Sequence, residues 1–231
     1  MPPTLLRPGN IKPEKWMSEK QKHEINTINS IDWIINYLSD RVYSGNKPPR
    51  VPVNSLGCKV LVLKSGPGTG KSTVIPPYLY DVFYVKRGVK RDIFVTQPTQ
   101  ITTTDIPFQI AKFNTSMKMG KTIGYQTGSI AKKPNNGVLF TTTGILLQYL
   151  KLLSDDDFCK AYQFIIIDEV HNRSVDMDLI FYYLKNFLRR CFRRPDCPFV
   201  ILTSGTFDES VFMKYFECPE SNYLEVSGAS Y

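Results

Sequence analysis

The chain has 231 residues, 42% apolar and 22% charged, enough to bury the core of one large domain or of one and a half small ones, and this balance excludes a disordered or fibrous chain. Its net charge of +8 and pI near 9.2 point to a polyanionic partner as readily as to a basic surface kept for solubility. Cys58, Cys159, Cys191, Cys197 and Cys218 are odd in number and show no C-x-x-C pair or zinc spacing, which argues against a disulfide frame or structural metal and for a reducing compartment. The first residues carry charges and prolines where a leader would carry an apolar run, and no stretch approaches the length that spans a bilayer. The expectation is a soluble, cytoplasmic chain, monomeric and without a membrane partner.

Residues 1–22, with Pro2, Pro3, Pro8 and Pro13 among polar neighbours, predict an extended arm. Over 23–56, Ile25, Ile28, Ile31, Ile35, Leu38 and Val42 recur at spacings of three and four, the stripe of an N-terminal amphipathic helix that packs on the flank of a sheet, followed by a Gly/Pro/Asn loop. The main domain is expected over 57–231. Cys58 to Leu63 predicts a buried strand and Val74 to Val85 a helix. Strands are predicted over Arg91–Gln97, Val138–Thr142, Gln163–Asp168, Phe199–Thr203 and Tyr223–Val226. Helices are predicted over Thr102–Phe113, Gly144–Leu153 and Ser210–Phe216, with Met177, Ile180, Leu184, Phe187 and Cys191 marking one more helical face. The alternation implies an α/β fold, a mostly parallel sheet with helices on both faces.

In such sheets ligands sit beyond the carboxyl ends of the strands. The segments there are Ser65–Thr73, Pro98–Thr104, Thr141–Gly144, Asp168–His171 and Ser204–Thr206, all polar, small or charged. The first, Ser65-Gly-Pro-Gly-Thr-Gly-Lys-Ser-Thr73, lies between a strand and a helix and reads as a phosphate-binding loop, although the strict pattern wants Gly where Ser65 stands. Gly66, Pro67, Gly68, Thr69 and Gly70 would curl the backbone around phosphates, aided by the helix N-terminus, with Thr73 beside them. Lys71 would reach the β and γ phosphates, and Ser72 would ligate Mg²⁺. The fourth, Asp168-Glu-Val-His171, ends an aliphatic strand in two carboxylates, placing Asp168 to hold Mg²⁺ and Glu169 to orient or deprotonate the water that attacks the γ phosphate of ATP or another NTP.

With these boxes on the page, the chain resembles the first RecA-like domain of the DExH/DEAH-box helicases of superfamily 2. Asp168-Glu-Val-His171 matches the DExH box, and Ser204-Gly205-Thr206 stands where relatives carry Ser-Ala-Thr. Thr96-Gln-Pro98 opens like Thr-Gln-Pro-Arg-Arg, Thr142-Thr-Gly144-Ile-Leu146 like Thr-x-Gly-x-Leu, and Gly124-Tyr125 falls where relatives have a Gly-Tyr pair. The wording is similar to the poxvirus nucleoside triphosphate phosphohydrolase II group, which would place the chain in a virion or viral factory of a large DNA virus. The resemblance implies an ATP-dependent RNA helicase, with DNA as the other substrate. It implies that His171, Ser204 and Thr206 couple hydrolysis to strand separation, and it places nucleic-acid contacts at Thr99, Gln100, Thr142 and Gly144. Thr99 and Gln100 replace paired arginines, so contacts there would rest on neutral hydrogen bonds, and Gln109 stands where some relatives place a base-stacking Arg.

No segment after Phe216 resembles Gln-x-x-Gly-Arg-x-Gly-Arg, so the second RecA-like domain that would complete the site is expected outside this chain. The piece alone is then expected to bind NTP weakly and hydrolyse it slowly. A P-loop kinase would need an Arg-rich lid that is not found, whereas a nucleotide-gated binding module stays open. The basic runs Arg189, Arg190, Arg193, Arg194 and Lys86, Arg87, Lys90, Arg91 read as solvated helix ends or as RNA contacts.

Overall fold

The computed structural model describes residues 55–66, 70–206 and 208–226. The expected arm, the amphipathic stripe from Ile25 to Val42, and Pro67, Gly68 and Thr69 of the phosphate loop lie outside the described residues. Among the described residues eight strands form one sheet: β1 (Val60–Ser65), β2 (Asp92–Gln97), β3 (Ile123–Gln126), β4 (Ala131–Lys132), β5 (Val138–Thr142), β6 (Tyr162–Ile167), β7 (Phe199–Ser204) and β8 (Tyr223–Val226). Their order across the sheet is β4-β3-β5-β2-β6-β7-β1-β8, and every neighbouring pair is parallel except β3 with β4.

Alternate side chains of each central strand enter opposite apolar layers, as a strand's period of two requires. Val60, Val62, Ile165, Ile167, Val200 and Leu202 pack under α3 (Thr143–Leu152), α4 (Asp155–Ala161), α5 (Val175–Cys191) and α6 (Glu209–Tyr215). Leu61, Leu63, Phe164, Ile166, Phe199 and Ile201 pack under α1 (Lys71–Leu79) and α2 (Gln100–Phe113). The β2–β6 register shifts after Asp92 pairs Tyr162, so that Ile93 meets Phe164 and Gln163 is passed over. This bulge puts Tyr162 on the same face as Ile165.

Several expected boundaries are corrected. The first strand begins at Val60, because Leu56–Lys59 wind into a 3₁₀ turn, and it runs on to Ser65. The helix after the phosphate loop starts at Lys71, three residues early, and widens into a π-helical segment over Tyr80–Lys86. Pro76 and Pro77 lie inside α1 and cannot donate to the carbonyls one turn back, which disfavours a uniform α-helical ladder there. Asp168 lies just past β6 instead of inside it. The sequence reading had not placed β3, β4 or α4.

Arg190 in the last turn of α5 and Arg194 just beyond it serve the fold. Arg190 grips Asp155 of α4 through two bonds of 2.7 and 2.8 Å, and Arg194 forks onto Asp196 at 2.9 Å and also meets Asp156. The guanidiniums hold Asp155 and Asp196 below the usual carboxylate range. Arg91 donates to the carbonyls of Cys159 and Asp196, tying the start of β2 to the same corner. Of the second basic run, Lys86 pairs with Asp81 at 2.7 Å, and Lys90 donates to the Tyr84 carbonyl and lies over its ring.

Two substitutions test this packing. A Cβ at Gly124 would stand 2.0 Å from the Lys132 carbonyl oxygen, so Gly124→Ala is expected to cost on the order of 1–3 kcal/mol, read by urea denaturation. Asp92 accepts the Gly137 N–H at 2.7 Å, and burial lifts its carboxyl above the ordinary value of 3.8 despite that bond. With the folded pKa raised, stability is lost as pH climbs through the folded value. Asp92→Asn, which keeps the acceptor without the charge, should therefore be more stable than the wild type at neutral pH, and the gain should close below about pH 3.8.

Candidate phosphate and metal site

The phosphate turn enters α1 through Gly70, whose φ of 78° suits glycine, and a Cβ there would also press to 2.9 Å from Val74 Cγ2. Gly70 O accepts from the N–H groups of Thr73 and Val74 at 3.0 and 2.7 Å, which closes the first turn. The opening amides of any helix have no carbonyl one turn back, so this end favours an anion.

Strand β6 delivers the acid pair beside it. Asp168 is 2% exposed, and its carboxylate is met from four sides. Oδ1 accepts from Thr203 Oγ1 at 2.5 Å and from the Glu169 N–H at 3.0 Å; Oδ2 accepts from Gln97 Nε2 at 2.9 Å and touches the Ser72 hydroxyl. Carboxylate and hydroxyl together offer the hard oxygen ligands that Mg²⁺ takes along with water and phosphate oxygens, so the donor set fits this ion. Among the described residues no cluster of three His, Cys, Asp or Glu could hold a metal on its own.

Glu169 turns the chain out of the sheet at φ 53°, a left-handed conformation that costs a residue with a Cβ about 1–2 kcal/mol. The turn aims its carboxylate back over the rim. Oε1 pairs with Lys71 Nζ at 3.0 Å, and Oε2 lies 3.1 Å from His171 Nδ1. The same His171 nitrogen is 2.7 Å from Ser204 Oγ at the end of β7. A polar path thus runs from Lys71 through Glu169 and His171 to Ser204, and the Thr206 N–H reaches Ser204 Oγ at 3.4 Å.

The other predicted residues sit elsewhere on the rim. Thr99 caps α2 by accepting the Thr102 N–H at 3.1 Å, so its hydroxyl is engaged locally, and Gln100 opens that helix, exposed. Thr142 occupies the cap position of α3 without a side-chain cap bond, and Gly144 is the helix's second residue. Gln97 and Thr203 are the site residues that sequence reasoning passed over. Both are polar residues at the carboxyl ends of buried strands, which was the available signal.

Residues 53–213 match the DEAD/DEAH box helicase family. The chain belongs to that family. The putative RNA helicase B962L of African swine fever virus is 33% identical over 242 residues, covering 99% of this chain and 24% of its own length. The ATP-dependent RNA helicase HrpA of Borreliella burgdorferi is 35% identical over 158 residues, covering 68% of this chain and 18% of its own. The chain thus spans about a quarter of the length of the first of these relatives. The crystal structure of the Escherichia coli DEAH/RHA helicase HrpB superposes with a TM-score of 0.61 at 23% identity, over 77% of this chain and 21% of that one, and shows the RecA-like fold. No helix among the described residues is long and apolar enough to cross a membrane.

Thr203→Val removes one of the four groups around Asp168 while keeping the side chain's shape. Removing a hydrogen bond that orients a metal-binding carboxylate typically weakens metal binding by about 10–100-fold. We expect that fall in apparent Mg²⁺ affinity, measured by Mg²⁺ titration of nucleotide binding, with Thr203→Ser restoring it.

Proposed function

We propose that this chain is the NTP-binding motor domain of an ATP-dependent DExH-box RNA helicase, which couples ATP hydrolysis to unwinding or remodelling RNA duplexes. The observation that carries the reading is the double contact of the phosphate turn with the acid pair, Lys71 on Glu169 and Ser72 on Asp168. Residues 57–231 would be the first RecA-like domain, facing a second one across the nucleotide. RNA as substrate is supported by the names of the relatives, and a viral setting by one of them.

In this reading Gly66 to Thr73 cradle the phosphates, and Lys71 exchanges Glu169 for the γ phosphate when nucleotide binds. Ser72 and Asp168 would hold Mg²⁺, which when bound neutralises charge on the phosphates. Gln97 and Thr203 keep the Asp168 carboxylate from rotating away. Glu169, released by Lys71, accepts the proton of the attacking water, and its strained turn holds it over the rim. His171 then reports the state of Glu169 to Ser204 and the end of β7, the route by which hydrolysis would reach bound RNA. Thr99, Gln100, Thr142 and Gly144 would line the RNA path.

Two variants separate binding from chemistry. Lys71→Ala should weaken binding of a fluorescent ATP analogue by at least about tenfold, whereas Glu169→Gln should keep binding and lower ATP turnover by roughly 10²–10⁴-fold. Turnover that survives Glu169→Gln would refute the assignment. A nucleotide-gated binding module would instead show RNA affinity that shifts with nucleotide and no turnover in any context, and stimulation by DNA alone would mark a DNA-directed enzyme.

A further inference from the structure

The positive charge of this chain is unevenly neutralised. Around α5 and α6 acids answer several of the cations: Lys64 pairs with Glu209, Arg173 with Asp178, Arg190 with Asp155, and Arg194 with Asp156 and Asp196. Between Asp105 and Asp155, by contrast, the sequence holds six lysines and neither Asp, Glu nor Arg, against a net +8 for the whole chain. This segment builds the far edge of the sheet: most of α2, the turn into β3, the β3–β4 hairpin, β5 and α3.

Five of those lysines, Lys112, Lys118, Lys121, Lys132 and Lys133, are exposed around that edge, and none forms an ion pair with a described residue. They are drawn together by the backbone. Lys121 O accepts from the N–H groups of Asn135 and Asn136 at 3.0 and 3.4 Å, and the Lys132 stem lies along Gly120. Apolar side chains stand among them, Phe113 78% exposed and Ile130 53% exposed, with Lys112 Nζ 5.8 Å from the Phe113 ring. Lysines on an edge strand also deter edge-to-edge pairing, but that needs no large exposed aromatic and no exclusion of acids from α3 and from the half of α2 beyond Asp105.

We propose that this edge is a second contact surface for single-stranded RNA, which the strand reaches after leaving the rim. The partner follows from charge complementarity, five unneutralised cations with an aromatic platform being the chemistry that holds a phosphate backbone and stacks a base. It also follows from continuity. β5, whose end carries Thr142 of the proposed RNA path, is hydrogen-bonded to β3, and β3 to β4, so the edge begins where the rim contacts stop. Ile130, whose carbonyl accepts the Thr127 N–H, marks the rim end of the surface, and Lys118 and Lys121 lie at the amino end of β3. The inference rests on the RNA reading above, but its residues are none of those assigned to nucleotide chemistry.

The test is fluorescence anisotropy of a labelled oligouridine against this chain over a range of salt concentrations. The triple variant Lys118→Gln, Lys121→Gln, Lys132→Gln should bind more weakly and lower the slope of log K against log salt by about 2, since each single-strand phosphate contact contributes about 0.7. The matching triple Lys→Arg variant should restore the slope, and Phe113→Ala should weaken binding about tenfold without changing it. All three lysines are exposed, so unchanged melting temperatures verify that the variants fold. A triple Gln variant with wild-type affinity and slope overturns the edge proposal and leaves the motor reading intact. So does polyglutamate that displaces the oligouridine at equal charge, which would mark a general anion surface. A wild-type chain that binds no oligouridine even at low salt also overturns it, and the motor reading is then judged separately by the Glu169→Gln turnover.

Discussion

The Asp168 carboxylate is the constraint on which the rest of the site depends. A buried charge is costly unless its lone pairs are met, and here they are met by groups from four places: the end of β2, the start of α1, the end of β7 and the following peptide. Those elements meet only because β6 lies between β2 and β7 with all three parallel. The carboxylate therefore reads the register of the whole centre of the sheet. A slip of one residue in β2 or β7 would reverse Gln97 or Thr203 to the other face and leave the charge unmet.

Beside this fixed acid, Glu169 is held by opposites. Lys71 draws one carboxylate oxygen toward the phosphate turn and His171 draws the other toward β7, while the backbone sits in a conformation that residues with a Cβ avoid. The two neighbouring acids thus have different mechanical characters. Asp168 is immobilised by neutral donors and its own chain, whereas Glu169 is tethered by groups that a bound phosphate or a shifted β7 would attract elsewhere.

Much of this was legible in the amino-acid sequence, for identifiable reasons. The strands Val138–Thr142 and Tyr223–Val226 were read with their observed bounds, because turn residues or polar residues punctuate both ends. The convergence of the Gly-rich turn and the acid pair followed from the general rule on carboxyl ends of parallel strands. By contrast, β4 has two residues, both exposed, and so carries no periodic signal at all. The seven-residue α4 did have a signal, since Ser154 accepts the Asp157 N–H as a cap before three consecutive acids, but its buried residues, Phe158 and Cys159, are adjacent and show no spacing of three or four. Gln97 and Thr203 showed in the sequence only as polar residues ending buried strands, and their shared partner was hidden for a different reason. Their role depends on which strands are neighbours, and strand order is a property of the assembled sheet.

The two prolines in α1 have a consequence for how the cradle comes into being. A segment that lacks successive amide donors has little helical tendency of its own, so this one takes its shape from Ile75, Leu79, Tyr80 and Phe83 settling onto the sheet. The proposed phosphate cradle is then not a preassembled module carried by the chain but one whose shape depends on the apolar layer beneath it. Loosening that layer, even at a distance from any phosphate, would unmake the cradle before it disturbed the strands beneath.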